Sequence, residues 1–345
     1  MGLWLAGMLA ATWPAAGQTT GGVRRVMLIG WDGAGRDDVK RLLEQGQLPN
    51  LQALVADGTF VPINIAEEET DTKAGWAQIL TGYGAHLTGV VSDKRYQPIP
   101  KGYTIFERLE QAFGSNAVAT VAVVANKEDL DAAPPVKTVI SEEIEELNPR
   151  KRAAKKPAKA PRKQDGEEVI EDGVRYQLTP GKPLFNAVAA LDFWENGLFS
   201  DERVGARAVA QLVRFNDRPR CFFFVHFGEI ERAGRRSGQG TAAYDEAIVS
   251  ADAQLGRLVR QLKALGVYSA TLVYVTADHG FDREKTTHLQ APFVFLATND
   301  KGVARGGTLV DVAPTILARF GLDLTRIVPP LTGAPLLGEV RAPGE

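Results

Sequence analysis

From Val23 onward, apolar runs alternate with amphipathic stretches. The runs "VRRVMLIGWDG", "AVATVAVVA", "CFFFVHF" and "TLVYVTAD" are apolar nearly throughout, so each predicts a strand covered on both faces. Helical spacing fills the intervals. In "DDVKRLLEQGQLPNLQALVADG", Leu42, Leu43, Leu51, Leu54 and Val55 share a face around a break at Pro49. "AYDEAIVSADAQLGRLVRQLKALG" aligns Ile248, Leu255, Leu258, Val259, Leu262 and Leu265, with Gly266 as its stop. "YTIFERLEQAFG" and "DERVGARAVAQLVRFN" behave alike. Such alternation predicts an α/β three-layer sandwich around a mostly parallel central sheet, with antiparallel strands accommodated at its edges. Ligands of such sheets bind outside the carboxyl ends of the strands. Asp32, His226, Asp278 and His279 all fall at or just past predicted strand ends.

Two segments break the rhythm. "MGLWLAGMLAATWPAAGQTT" has an apolar stretch of about eleven residues, then Pro14 and small residues, which predicts a signal peptide over residues 1–17 with cleavage near Gly17/Gln18. Its first residues lack Lys and Arg, which leaves a short buried helix as the alternative. The signal reading places the mature chain in a periplasm or outside the cell, with one hydrolase-like domain over 23–345. No other run approaches the roughly 18 apolar residues of a membrane span. The second segment, about 141–167, is acidic "EEIEE" followed by "NPRKRAAKKPAKAPRKQDGEE", with eight basic residues between Arg150 and Lys163. It lacks an apolar period and reads as a disordered, solvated insertion; contact with an anionic partner or a membrane surface is the alternative.

Composition narrows the function classes. With 44% apolar residues, 24% charged and a formal charge of −2, the chain lacks the basic excess of a general nucleic-acid binder. The single cysteine, Cys221, excludes an intramolecular disulfide and sits in an apolar run as a small hydrophobe. Oligomeric state is not legible.

The candidate chemistry begins at "VTADHG", where an Asp–His pair ends a strand apolar on both faces. Leaving both side chains unpaired there would cost several kcal/mol, so a protein partner, a substrate or a metal ion must meet them. At the first strand end, "IGWDGAG" spaces its glycines at 30, 33 and 35, which is not the G-x-G-x-x-G of a dinucleotide site. Asp32 within it would repel a pyrophosphate and suits a cation; capping the next helix is the bland alternative.

"EETDTKAGWAQILTGYGAHLTGV" adds Thr72, then Thr81-Gly82 and Gly89-Val90. With the "DG" before it and "TADHG...H...PF" after it, this order resembles the alkaline phosphatase superfamily, nearest the type I phosphodiesterase/nucleotide pyrophosphatase and sulfatase-like hydrolases. The resemblance runs from about Val26 to about Leu337 and skips the basic insertion. It implies that Asp32, Thr72, Asp278 and His279 hold one metal ion, with Thr72 as a metal-activated nucleophile and Thr70 as its rival. An N/O donor set of this kind suits Zn²⁺. Position 72 is Thr rather than Cys or Ser, which argues against a standard sulfatase mechanism. For a second ion the resemblance implies an Asp, a His four residues later and a further His. Here Glu231, Arg235 and His288 stand at those positions, and arginine cannot ligate. Asp93 stands where the branch has a substrate-contacting Asn.

These expectations amount to a phosphoric mono- or diester hydrolase holding one divalent ion, with two as the alternative. Arg235 would bind phosphate oxygens, and the substrate would be a small ester. A non-catalytic scaffold keeping at most one ion is the alternative from another class, and a phosphomutase is a more distant third. Of the remaining polar residues, His226 reads as a satisfied strand-end or second-sphere group, His86 as solvated, and Asp311 as the N-cap of "DVAPTILARFG".

Overall fold

The computed structural model describes residues 23–66, 70–125, 128–140, 167–171 and 174–338. The predicted signal peptide and nearly all of the predicted insertion lie outside them. Buried apolar runs form the centre of an eight-stranded sheet: β1 (Arg25–Trp31), β3 (Val118–Ala125), β8 (Arg220–Phe227) and β9 (Thr271–Thr276). Flanking them are β2 (Thr59–Asn64), β7 (Phe193–Leu198), β10 (Phe293–Thr298) and the two-residue β11 (Gly307–Thr308). The order is β11-β2-β10-β9-β1-β8-β3-β7. All pairs are parallel except those of β10, which runs antiparallel to both β9 and β2. The reversed strand therefore lies inside the sheet, not at an edge as the sequence pattern allowed.

Helices cover both faces, as continuous apolar strands require. On one side α1 (Arg36–Glu44), α2 (Pro49–Ala56), α6 (Asp201–Arg214) and α8 (Ala242–Ala264) pack together. The predicted break at Pro49 is real: Pro49 opens α2, and Gly46 turns the chain with φ 70. On the other side lie α3 (Thr72–Thr81), the short α4 (Ala85–Thr88), α5 (Ile105–Phe113) and α9 (Val312–Arg319). One more helix, α7 (Glu229–Ser237), follows β8 and packs on α8. Trp76 of α3 and Phe106 of α5 meet Phe224 and Phe222 of β8, which share a face by the period-two rule. His226 is the next residue on that face, and it lies edge-on to Trp76.

Apart from this body, β4 (Val136–Val139), β5 (Glu167–Glu171) and β6 (Val174–Thr179) make a small antiparallel sheet in the order β4-β6-β5. Its strands border residues 141–166, which fall outside the described set. Cys221 is buried as expected, and burial pushes its thiol up to about 11. Asp311 precedes α9 but does not cap it with its side chain; it instead accepts the Thr308 amide at 2.9 Å and the Ala334 amide at 2.8 Å.

Candidate active site

Two strand ends and one helix start converge. Asp32 follows β1, Asp278 and His279 follow β9, and Thr72 is the first residue of α3; all four are buried. The His279 ring is fixed by its own chain: Nδ1 sits 2.9 Å from the Gly280 carbonyl, so Nδ1–H donates and Nε2 carries the free electron pair. That Nε2 lies 3.2 Å from Thr72 Oγ, 3.4 Å from Asp278 Oδ2 and 3.9 Å from Asp32 Oδ1. Four donors about a tetrahedral ion with arms of 2.0–2.1 Å would be roughly 3.3 Å apart, so the set fits a divalent ion. Without an ion, burial opposes charge on His279, but Asp278, Glu231 and Asp32 outweigh it and raise its pKa. The cluster is thus built to attract positive charge.

Close approach of two backbones makes this convergence possible. A Cβ at Gly75 would lie 2.8 Å from Asp278 Cβ and 2.9 Å from its carbonyl oxygen, so any larger residue would push α3 off β9. At the first strand end, Gly33 turns with φ 80 and donates its N–H to Asp278 Oδ1 at 3.2 Å. His226 Nε2 lies 2.9 Å from Asp32 Oδ2 and orients that carboxylate, the arrangement by which outer groups tune a metal ligand. His226 is therefore more than a satisfied strand-end residue. The Thr70 hydroxyl donates to the His288 carbonyl instead of facing this cluster's His279.

A second cluster adjoins the first. Glu231, His279 and His288 offer donor atoms within 4.8 Å of one another, and the two imidazoles stack with centroids 4.0 Å apart. His288 Nδ1–H donates to the Thr70 carbonyl at 2.5 Å, which turns Nε2 toward Glu231 Oε1 at 3.9 Å. Between them lies Arg235. Its Nε donates to Glu231 Oε1 at 2.7 Å and its Nη2 to His288 Nε2. Burial, His279 and Arg235 hold His288 down to about 4, against the opposing pull of Glu231, so it is neutral at ordinary pH and accepts a hydrogen bond from the guanidinium. The expected remnants, Glu231 and His288, are thus brought together around a guanidinium.

The helix start carries residues that the sequence reading passed over. Lys73 is buried, with Nζ 2.6 Å from Asp129 Oδ1, 2.8 Å from the Asp93 carbonyl and 4.6 Å from the Tyr96 ring centroid. Asp93 Oδ1 accepts the Lys73 amide at 3.0 Å, and the Asp93 amide donates to Asp71 Oδ2 at 3.1 Å. His86 is exposed, as expected. Among the described residues, no helix is long and apolar enough to cross a membrane.

Comparison with known proteins places the fold and the family. A 2-O GAG sulfatase is similar in fold, with TM-score 0.58 and 12% identity over 91% of this chain and 73% of that one. Alkaline phosphatase from the Antarctic bacterium TAB5 gives 0.52 and 13% over 88% and 99%. In sequence, the chain is 29% identical over 187 residues to a 2,3-bisphosphoglycerate-independent phosphoglycerate mutase of Natronomonas pharaonis, or 50% of this chain and 33% of that protein. Its counterpart in Cellvibrio japonicus is 38% identical over 88 residues, or 22% and 16%. The chain thus spans a third or less of the length of these curated relatives. The type I phosphodiesterase / nucleotide pyrophosphatase family matches residues 26–315, and the chain belongs to that family of phosphoester-handling enzymes, within the alkaline phosphatase superfamily.

Proposed function

We propose that the protein hydrolyses phosphoric esters with Thr72 as the nucleophile, one divalent ion at Asp32, Asp278 and His279, and Arg235 in place of a second ion. The observation that carries the reading is the position of Thr72 Oγ, 3.2 Å from His279 Nε2 in a cluster that fits a metal. A hydroxyl is a weak nucleophile at neutral pH, and a bound divalent ion supplies the Lewis acidity that lowers its pKa. Two carboxylates and one imidazole suit Zn²⁺.

The chain's own groups do the rest. Asp32, oriented by His226, and Asp278, held by the Gly33 amide, keep their carboxylates turned toward Thr72. The N-terminus of α3 turns its positive dipole end toward the phosphoryl oxygens, with the Lys73 amide taken by Asp93. Arg235 donates to those oxygens from the other side while Glu231 and His288 hold its guanidinium in place. Attack by Thr72 forms a phosphoryl-threonine and releases the alcohol; water then cleaves that ester and restores the hydroxyl.

The test is turnover of aryl phosphate mono- and diesters by zinc-loaded protein and by Thr72→Ala. Most of the wild-type metal content with turnover abolished is the expected pair of results. Full turnover by Thr72→Ala, or none by the wild type with any of several divalent ions, would overturn the reading. The likeness to mutases favours a second reading, in which the phosphoryl group passes from Thr72 to another hydroxyl. Isotopic label from water in the released phosphate separates the two, since transfer leaves water out.

A further inference from the structure

The start of α3 holds charges that the hydrolytic reading does not use. Lys73, one residue past Thr72, is 6% exposed, and its ammonium bonds Asp129 and the Asp93 carbonyl rather than the Asp93 carboxylate. That carboxylate instead accepts the Lys73 backbone N–H at 3.0 Å. An early N–H of a helix has no partner within the helix and is a ready donor to an anion. Asp93 therefore sits, as an internal anion, on a donor beside the reacting hydroxyl. The charges facing it are Asp71 and Lys73 from the start of α3, Asp129 from the turn after β3, and Arg235 from α7. Three carboxylates there face two cations. Burial, with Asp129 and Asp71 adding to it, pushes Asp93 up to about 6 against its bond to the Lys73 amide.

We propose that Asp93 is a specificity-determining residue: its carboxylate takes the amide that would otherwise hold a phosphoryl oxygen, so the site disfavours doubly charged phosphoryl groups relative to singly charged ones. This rests on the reading of Thr72 as the nucleophile. A monoester dianion brings one more negative charge to this surplus than a diester monoanion does, and it competes with Asp93 for the same N–H. Lowering the pH through about 6 neutralises the carboxylate and relaxes the discrimination.

Binding measured by calorimetry on the full, zinc-loaded chain tests this without relying on turnover. Sulfate serves as a dianion at every pH used, and dimethyl phosphate as a monoanion of similar shape. At pH 8, Asp93→Asn should tighten sulfate about tenfold or more while changing dimethyl phosphate less than about threefold. Asp93→Ser, smaller but also uncharged, should move the ratio in the same direction, which guards against a misfolded first variant. At pH 5 the wild-type ratio should approach that of the variants. Equal changes for the two anions, or no change in either, would overturn the proposal. Turnover surviving Thr72→Ala would instead remove the nucleophile reading, and the binding ratio would still be readable.

Discussion

The two clusters at the carboxyl edge of the sheet share a histidine stack but rest on different supports. Asp32, Asp278 and His279 leave the ends of adjacent β1 and β9, fully buried, with backbone groups of Gly33 and Gly280 fixing two of the three. Glu231 and Arg235 ride one turn apart on α7, and His288 sits in a loop. The Arg235 side chain is 47% exposed. A strand end locked in a sheet gives a donor little freedom, whereas an exposed helix position accepts a different residue without disturbing the core. The stacked rings register the contrast electrostatically. His279, facing carboxylates, is raised; His288, beside Arg235, is lowered. On the proposed reading, ligand support by the sheet goes with a cation-attracting cluster, and support by the helix with a guanidinium where a second ion would sit.

The most severe way to break that contrast is to open the first cluster. Asp278→Ala removes one of the proposed protein ligands, so elemental analysis should find little bound metal and assays no turnover. Wild-type metal content in this variant would discard Asp278 as a ligand. Next comes Arg235→Ala, which should cut kcat/KM about 10²–10³-fold while the first ion stays bound, by analogy with losing one donor to a developing anion. Combining Arg235→His with Glu231→Asp sharpens the test: metal content should rise from about one ion per chain to about two, with part of the lost activity regained as zinc is added. If content stays at one and Arg235→Ala costs nothing, the second cluster is an abandoned site. A smaller effect, about 10–100-fold in metal affinity, is expected for His226→Ala, because Asp32 would lose its orienting partner.

The gentlest probe is acid stability. His288 has a folded pKa of about 4, below the roughly 6.5 of an unfolded histidine. Between these values the unfolded chain binds the extra proton, so the neutral ring's contribution is complete above about 6.5 and is lost as pH falls toward 4. His288→Gln, followed by thermal melts of metal-free protein across that window, should flatten the decline. An unchanged slope would mean that His288 is not held neutral by its surroundings.

How far the sequence foretold all this depended on whether partners were near in the chain. Asp32, Asp278 and His279 each close a continuous apolar run, so the run's length alone placed them at strand ends. Thr72 and Thr70 could not be told apart, because what separates them is a hydroxyl turned to the carbonyl of His288, 218 residues away. The Lys73–Asp129 contact spans 56 residues and leaves no local trace. Among strands, β2 carries Pro62, an ordinary argument against a sheet interior, and "FWENGL" of β7 has no clear alternation. The small β4-β6-β5 sheet exposes Val136, Val139 and Ile170, so burial imprints little pattern on it.

Arg235 has one more consequence, which concerns supply. A metal ion at Glu231 and His288 would have to be captured from solution, would carry a dissociation constant, and would leave when a chelator competes for it. A guanidinium bonded to these two residues arrives with translation, one per chain, and no chelator removes it. Its proton is equally secure: burial opposes the charge, but Glu231 outweighs it and raises an already high pKa further. On the proposed one-ion reading, half of the positive charge centres in this pair of clusters is encoded in the gene, and only the other half depends on the metal content of the surroundings.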